Sequence, residues 1–186
     1  GRAKKFADAR VAQNVGLYER RGGFKKVDIV AGAMAEIAVY RILKEAGVPA
    51  GKPDFTIHEV RKKSYDADLT DGIHQFHVKG QTLESKKLYG PSWILQRTDP
   101  LINTPENLNY LVPCTVCVDT GRVEIYGIFG IRHLIKQGCI GECANAWFSK
   151  TKVAVYLADL ETSYTRSARW QALKAAAERS RRSENA

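Results

Sequence analysis

A chain of 186 residues with 44% hydrophobic and 26% charged side chains has the length and balance for one α/β domain with a core of its own. It contains nothing close to the about eighteen consecutive apolar residues that a membrane-spanning helix needs. The formal net charge of +9 points to polyanions, since an excess of Lys and Arg draws in phosphates and releases their counterions.

The excess sits at the two ends. Residues 1–26 carry eight basic and two acidic side chains, and residues 166–186 carry six and two. The basic start, Gly1-Arg2-Ala3-Lys4-Lys5, is followed by no apolar stretch, so it does not read as a signal peptide. The chain is therefore expected inside the cell, in the cytoplasm or at the nucleoid, with nucleic acid and not membrane as its partner.

In chain order, residues 1–20 have the spacing of a basic helix, within a basic N-terminal region 1–26. From Val27 to Ala46, the residues Ile29, Ala33, Ile37, Tyr40 and Leu43 recur at steps of three and four, with Gly47 placed as a C-cap and Pro49 beyond it. That predicts the first long helix. Asp54 to Val60 has β character. Ser64 to Thr70 and Ile73 to Thr82 flank Asp71-Gly72, a strong hairpin signal. Leu83 to Pro105 reads as a long connection rich in turns. Tyr110 to Val118 and Arg122 to Ile128 form a second β pair around Asp119-Thr120-Gly121. A short helix at Ile131 to Lys136, a strand at Lys152 to Leu157 and an amphipathic helix at Thr165 to Arg181 complete the chain. This predicts an α/β (α+β) fold, a mixed β-sheet flanked by helices. It is expected as a single domain over 1–186, closing on a basic helix and tail at 162–186.

With Asp71-Gly72 as a two-residue turn, Asp68 opposes Gln75, Asp66 opposes His77 and Ser64 opposes Lys79. Opposed residues share a face of the pair. One face collects Ser64, Asp66, Asp68, Gln75, His77 and Lys79; the other is the apolar set Tyr65, Ala67, Leu69, Phe76 and Val78. Two carboxylates, an imidazole and an ammonium on one face suit phosphodiester hydrolysis. A carboxylate holds a divalent cation that acidifies water, and a lysine supports the nucleophile and the developing charge. A solvated strand face carries the same residue types.

The order of helix glutamate, strand aspartate and acid-x-Lys strand resembles the PD-(D/E)xK nuclease superfamily. The matching residues are Glu36 after Gly32-Ala33-Met34-Ala35, the strand Asp66-Ala67-Asp68-Leu69, and His77-Val78-Lys79, over about residues 27–130. The resemblance implies a restriction-endonuclease-like core. It also implies magnesium or manganese held by Glu36, Asp66, Asp68 and His77, with Lys79 at the nucleophile. Asp68 is the favoured main ligand of the two aspartates. His77 stands where the family has an acid. It lacks the charge that hard magnesium prefers, so it is a ligand of a modified site, a neighbour of the ligands, or the mark of lost activity. Glu36 shares its helix face with Val39, Tyr40 and Leu43, where a carboxylate needs a partner or a metal.

Past the lysine, Gln81, Lys86, Lys87, Ser92, Trp93, Gln96 and Arg97 interleave aromatic, polar and basic groups, a pattern suited to nucleic-acid contact. Packing of Trp93 beneath the loop is the competing reading. Zinc or an iron–sulfur cluster at Cys114, Cys117, Cys139 and Cys143 is not favoured, because Cys114 and Cys117 lie in a predicted strand and point to opposite faces. The reading is a metal-dependent deoxyribonuclease, endo- or exonucleolytic, acting on DNA with RNA still open, and a homodimer if both strands are cut. Its rivals are a catalytically inactive nucleic-acid-binding protein on a nuclease fold and a zinc-stabilised module.

Overall fold

The helical spacing seen from Val27 onward becomes a helix with two buried sides in the computed structural model, which describes residues 1–13, 26–56 and 66–164. Helix α1 (Arg2–Gln13) is followed by α2 (Lys26–Glu45). On one side of α2, Ile29, Val30 and Ala33 pack with Ala3 and Ala7 of α1. On the other, Ala31, Ala35, Val39 and Leu43 enter the main core. The helix closes as the Gly47 signal implied. Val48 N–H donates to Leu43 O at 2.8 Å and Gly47 N–H to Lys44 O at 3.0 Å, the paired bonds of a Schellman motif.

After α2 come β1 (Leu69–Thr70), β2 (Gln75–Thr82), α3 (Leu83–Tyr89), β3 (Ser92–Gln96), α4 (Pro100–Asn103) and β4 (Asn109–Cys117). Then follow β5 (Arg122–Ile125), β6 (Phe129–Gly130), α5 (Ile131–Lys136), β7 (Ile140–Glu142), α6 (Ala146–Ser149), β8 (Lys152–Tyr156) and α7 (Leu157–Tyr164). The first sheet runs β1-β2-β4-β5, with β6 also on β4; the second runs β3-β8-β7. Strands β2 and β4 are parallel, from Gln75 beside Asn109 to Thr82 beside Val116. The other pairings are antiparallel. The fold is thus of the α/β class, a mixed sheet flanked by helices.

Strand β4 holds the layers together because both of its faces are apolar. Val112, Cys114 and Val116 meet α2 along with Phe76 and Val78. Leu111 faces the other way, into a second core of Trp93, Leu95, Ile131, Leu134, Val155 and Leu160. A strand covered on both sides reads as an unbroken apolar run, as Leu111 to Val118 does nearly throughout. No helix among the described residues is long and apolar enough to cross a membrane.

The hairpin differs from its expected register. Leu69 pairs with Phe76 and Thr70 with Gln75, so the two-residue turn is Gly72-Ile73, one residue later than the Asp71-Gly72 turn predicted. Asp71 causes the slide. Its Oδ1 accepts the amides of Ile73 (2.9 Å) and His74 (2.6 Å), and its Oδ2 meets His74 Nδ1 at 2.8 Å. Those bonds, with the side-chain bond to His74 first among them, hold the Asp71 carboxyl down to about 2. Gly72 takes the first central position with φ 91°, where a type II′ turn calls for glycine. The slide moves every partner by two residues, an even number, so each side chain keeps its predicted face.

Other segments depart further. Leu83 to Pro105 is not a plain connection but holds α3, β3 and α4. Thr82 starts α3 by accepting Ser85 N–H at 3.2 Å, and Asp99 caps α4 by accepting Leu101 N–H at 3.1 Å. Residues 51–56 form no strand. The expected strand residues 57–60, Ser64 and Tyr65, and the helix from Thr165, lie outside the described residues, as does the basic tail; α7 comes just before it.

Gly80 sets how near α2 lies to β2. A Cβ built there would stand 3.1 Å from Ala31 O and 3.3 Å from Ala35 Cβ, both on the rigid helix. Gly80→Ala is expected to lower stability by about 1–3 kcal/mol, as overpacking of a filled contact does. Urea denaturation read by circular dichroism measures it; an unchanged midpoint would mean the helix is free to ride outward.

Candidate functional site on strand β2

Alternation along β2 sends Phe76 and Val78 toward α2 and leaves His77, Lys79 and Gln81 on the opposite face. Continuing the observed register by one residue sets Asp68 across from His77. The Asp68 side chain bridges to β2 there: its Oδ2 accepts Val78 N–H at 2.7 Å. This bond does the work of a ladder bond just past the end of β1 and fixes the carboxylate beside the His77-Val78-Lys79 run. No bond of Asp68 engages Oδ1 among the described residues.

His77 is 6% exposed and Asn109, at the start of β4, is 7% exposed. Neither His77 Nε2 nor Asn109 Oδ1 has a hydrogen-bond partner among the described residues. The two side chains are close neighbours all the same, because Asn109 influences the ring's proton affinity. Burial pushes the imidazole below its usual value; the Asp68 carboxylate opposes this and the Lys79 ammonium reinforces it, while Asn109 and Asp99 oppose it further. The ring is therefore uncharged at neutral pH. Lys79 is half-buried, and no acidic side chain pairs with it among the described residues.

The structure brings Asp68, His77 and Lys79 together. Asp66 is exposed and Glu36 half-buried on α2. Among the described residues no three His, Cys, Asp or Glu side chains form a group that could hold a metal ion, so the expected four ligands Glu36, Asp66, Asp68 and His77 are not gathered as one cage. Asn109 near His77, and Asp99, whose charge acts on the ring, were missed by sequence reasoning. The Asp99-Pro100 helix start was a usable signal for one of them; nothing local marks Asn109, which reaches the site through parallel pairing.

The expected nucleic-acid contacts are placed very differently from one another. Trp93 is a core residue, 2% exposed, with its Nε1–H donated to Cys114 O at 2.9 Å. That corrects its assignment as a stacking platform. Gln81 is buried, donating to Gly90 O at 2.9 Å and accepting Ser92 N–H at 3.2 Å, so it and Ser92 tie the end of α3 to β2. Lys86 is bonded to Glu124 (2.9 Å) and to the Tyr126 hydroxyl (2.5 Å). Arg97 is bonded to Glu142 (2.6 Å) and Ser149 O (2.7 Å). Gln96 is half-buried at the end of β3, and Lys87 is exposed on the last turn of α3.

None of the four cysteines is in a disulfide, and they are scattered. Cys114 lies in the core under α2 and Cys139 in the second core. Burial raises the Cys114 thiol to about 12, as expected of a packed thiol and not of a thiolate ligand. No protein-family model, curated protein or solved structure matches the chain.

Proposed function

We propose that the chain is a divalent-metal-dependent deoxyribonuclease with a PD-(D/E)xK-like centre on a restriction-endonuclease-like core. The observation that carries this reading is the carboxylate of Asp68 fixed on the Val78 amide, near the buried His77 imidazole and on the face that Lys79 shares. Magnesium is commonly held through one or two carboxylates, with water and substrate phosphate completing its shell. Asp68 Oδ1 suits one of those places, and Asp66 is the second donor the reading needs, since α2, which carries Glu36, packs on the opposite face of the sheet. His77 does not suit magnesium, being neutral and buried, and its role is to support Asp68 from behind. Magnesium or manganese would polarise the phosphate and acidify a bound water.

The protein's own groups supply the rest. Lys79 lies two residues along the same face and offers a positive charge to the nucleophile and to the phosphate as charge builds. Among the described residues no acidic side chain neutralises that charge. Val78 N–H holds Asp68 in orientation, and the uncharged His77 keeps a second cation away from the lysine. The basic ends of the chain would grip the DNA backbone, and a homodimer would cut both strands of a duplex. The proposed setting is the cytoplasm or nucleoid.

A second reading has one observation in its favour. The three-donor cage is absent among the described residues, as expected of a nucleic-acid-binding protein that has lost catalysis. One experiment separates the two. Labelled single-stranded, duplex and branched DNA, with an RNA control, is incubated with magnesium, manganese or no metal, using wild type and Asp68→Asn. The asparagine keeps an acceptor for Val78 N–H but removes the charge. Metal-dependent cleavage lost by about 100-fold or more in the variant is the expected result. Binding without cleavage in every metal would move the chain to the second reading.

A further inference from the structure

Away from β2, an open cleft of about 460 Å³ runs between α1 and residues 53–56. Its walls are Arg2, Lys5 and Phe6 from the helix, and Pro53, Asp54 and Phe55 from the facing segment. The volume lies within the about 300–1,000 Å³ common for ligand clefts. The Phe6 and Phe55 rings meet at 5.0 Å between centroids, tilted by 40°, and are half-buried. The Arg2 guanidinium lies over the Phe55 ring at 5.3 Å. A planar cation already occupies the face that a planar base would share.

The charges favour an anion. By sequence α1 holds Arg2, Lys4, Lys5 and Arg10 against Asp8 alone, and Asp8 is paired with Lys26. Asp54 is the acid on the cleft wall, and its Oδ1 is engaged by the amide and hydroxyl of Thr56, at 2.8 and 2.6 Å. No carboxylate neutralises Lys5 among the described residues. The walls thus alternate fixed cations with aromatic faces, matching a chain that alternates phosphates with flat bases. An acidic protein segment would satisfy the cations but leave the paired rings without a planar partner.

We propose that the cleft between α1 and residues 53–56 binds single-stranded nucleic acid, with a base against the Phe6–Phe55 pair and flanking phosphates on Arg2 and Lys5. The proposal rests on the nucleic-acid partner of the reading above and is independent of cleavage. Because the 53–56 segment continues from Gly51, whose amide bonds to Thr70 O at 2.8 Å, the cleft wall is tied to β1, which Asp68 directly precedes. A strand seated there is led toward that edge of the sheet.

The test is fluorescence anisotropy of a labelled oligothymidylate with the full chain, in EDTA so that no turnover intrudes, across a range of salt. Arg2→Ala with Lys5→Ala alters exposed side chains and leaves the α1–α2 packing in place. It is expected to weaken binding about 10-fold and to reduce the log–log salt slope by about 1.4, two phosphates at about 0.7 each. Phe55→Leu keeps apolar bulk but removes the ring, and is expected to weaken binding by about 5-fold or more with the slope unchanged. Loss in both variants supports the cleft whether or not the wild type cleaves DNA in magnesium. Wild-type affinity and slope in the double variant would overturn it, and so would equal competition by polyglutamate or by duplex DNA.

Discussion

Lys79→Met is expected to lower metal-dependent phosphodiester cleavage by about 10²–10³-fold while the protein stays folded, the size of effect seen when one preorganised charge-stabilising group is removed. Methionine retains an unbranched apolar stem of similar length, so packing of the half-buried side chain on β2 survives. The ammonium has no acidic partner among the described residues, and its removal breaks no ion pair among them. Single-turnover cleavage alongside thermal melting makes the measurement. A variant that cleaves like wild type would remove the lysine from the chemistry and with it the β2-centred mechanism. Lys79→Arg offers a finer check: it restores charge but not the compact point charge of an ammonium, so partial activity at most is expected.

Trp93→Ala carries the largest expected cost in stability, about 3–5 kcal/mol, as for other large aromatic truncations in a filled core. The side chain is 2% exposed and lies against Tyr126, with ring centroids 4.9 Å apart. Its indole hydrogen bond to Cys114 O ties β3 of the second sheet to β4 of the first. Trp93→Phe separates the contributions by keeping an aromatic ring while removing that hydrogen bond, whose loss is expected to cost about 0.5–1.5 kcal/mol. Urea denaturation reads both. The same variants should leave the salt dependence of DNA binding as it was. An indole that contributed to binding and not to stability would have to sit on the surface.

That contrast shows what could be read from residue order. Helix α2 was legible because a buried helix face repeats every three to four residues and Gly47 ends it, both local facts. So were the turn after β4 and the bounds of α5. Strand faces were legible on the hairpin even though the turn was misplaced, because a shift by two residues preserves alternation. Strand neighbours far apart in the chain were not. The parallel pairing of β2 with β4, and the antiparallel pairing of β3 with the distant β8, leave no mark in any of these segments alone. Asn109 therefore came to His77 unannounced, while Asp68, His77 and Lys79 could be placed on one face from their spacing. Trp93 was obscured by Ile94: Trp93 and Leu95 point inward with Ile94 exposed between them, a strand pattern that three adjacent apolar residues hide.

The path of the chain through the two sheets has a consequence for how the molecule comes apart. Strand β3 belongs to the second sheet, yet it is inserted between β2 and β4 of the first, and its partner β8 arrives only after β4 to β7 have been laid down. No single cut along the backbone assigns every strand of one sheet to one fragment and every strand of the other to the second. Neither sheet is therefore an autonomous folding unit. Their assembly has to wait for contacts between segments far apart in the chain, which slows folding, and loss of either is expected to take the other with it in one cooperative transition.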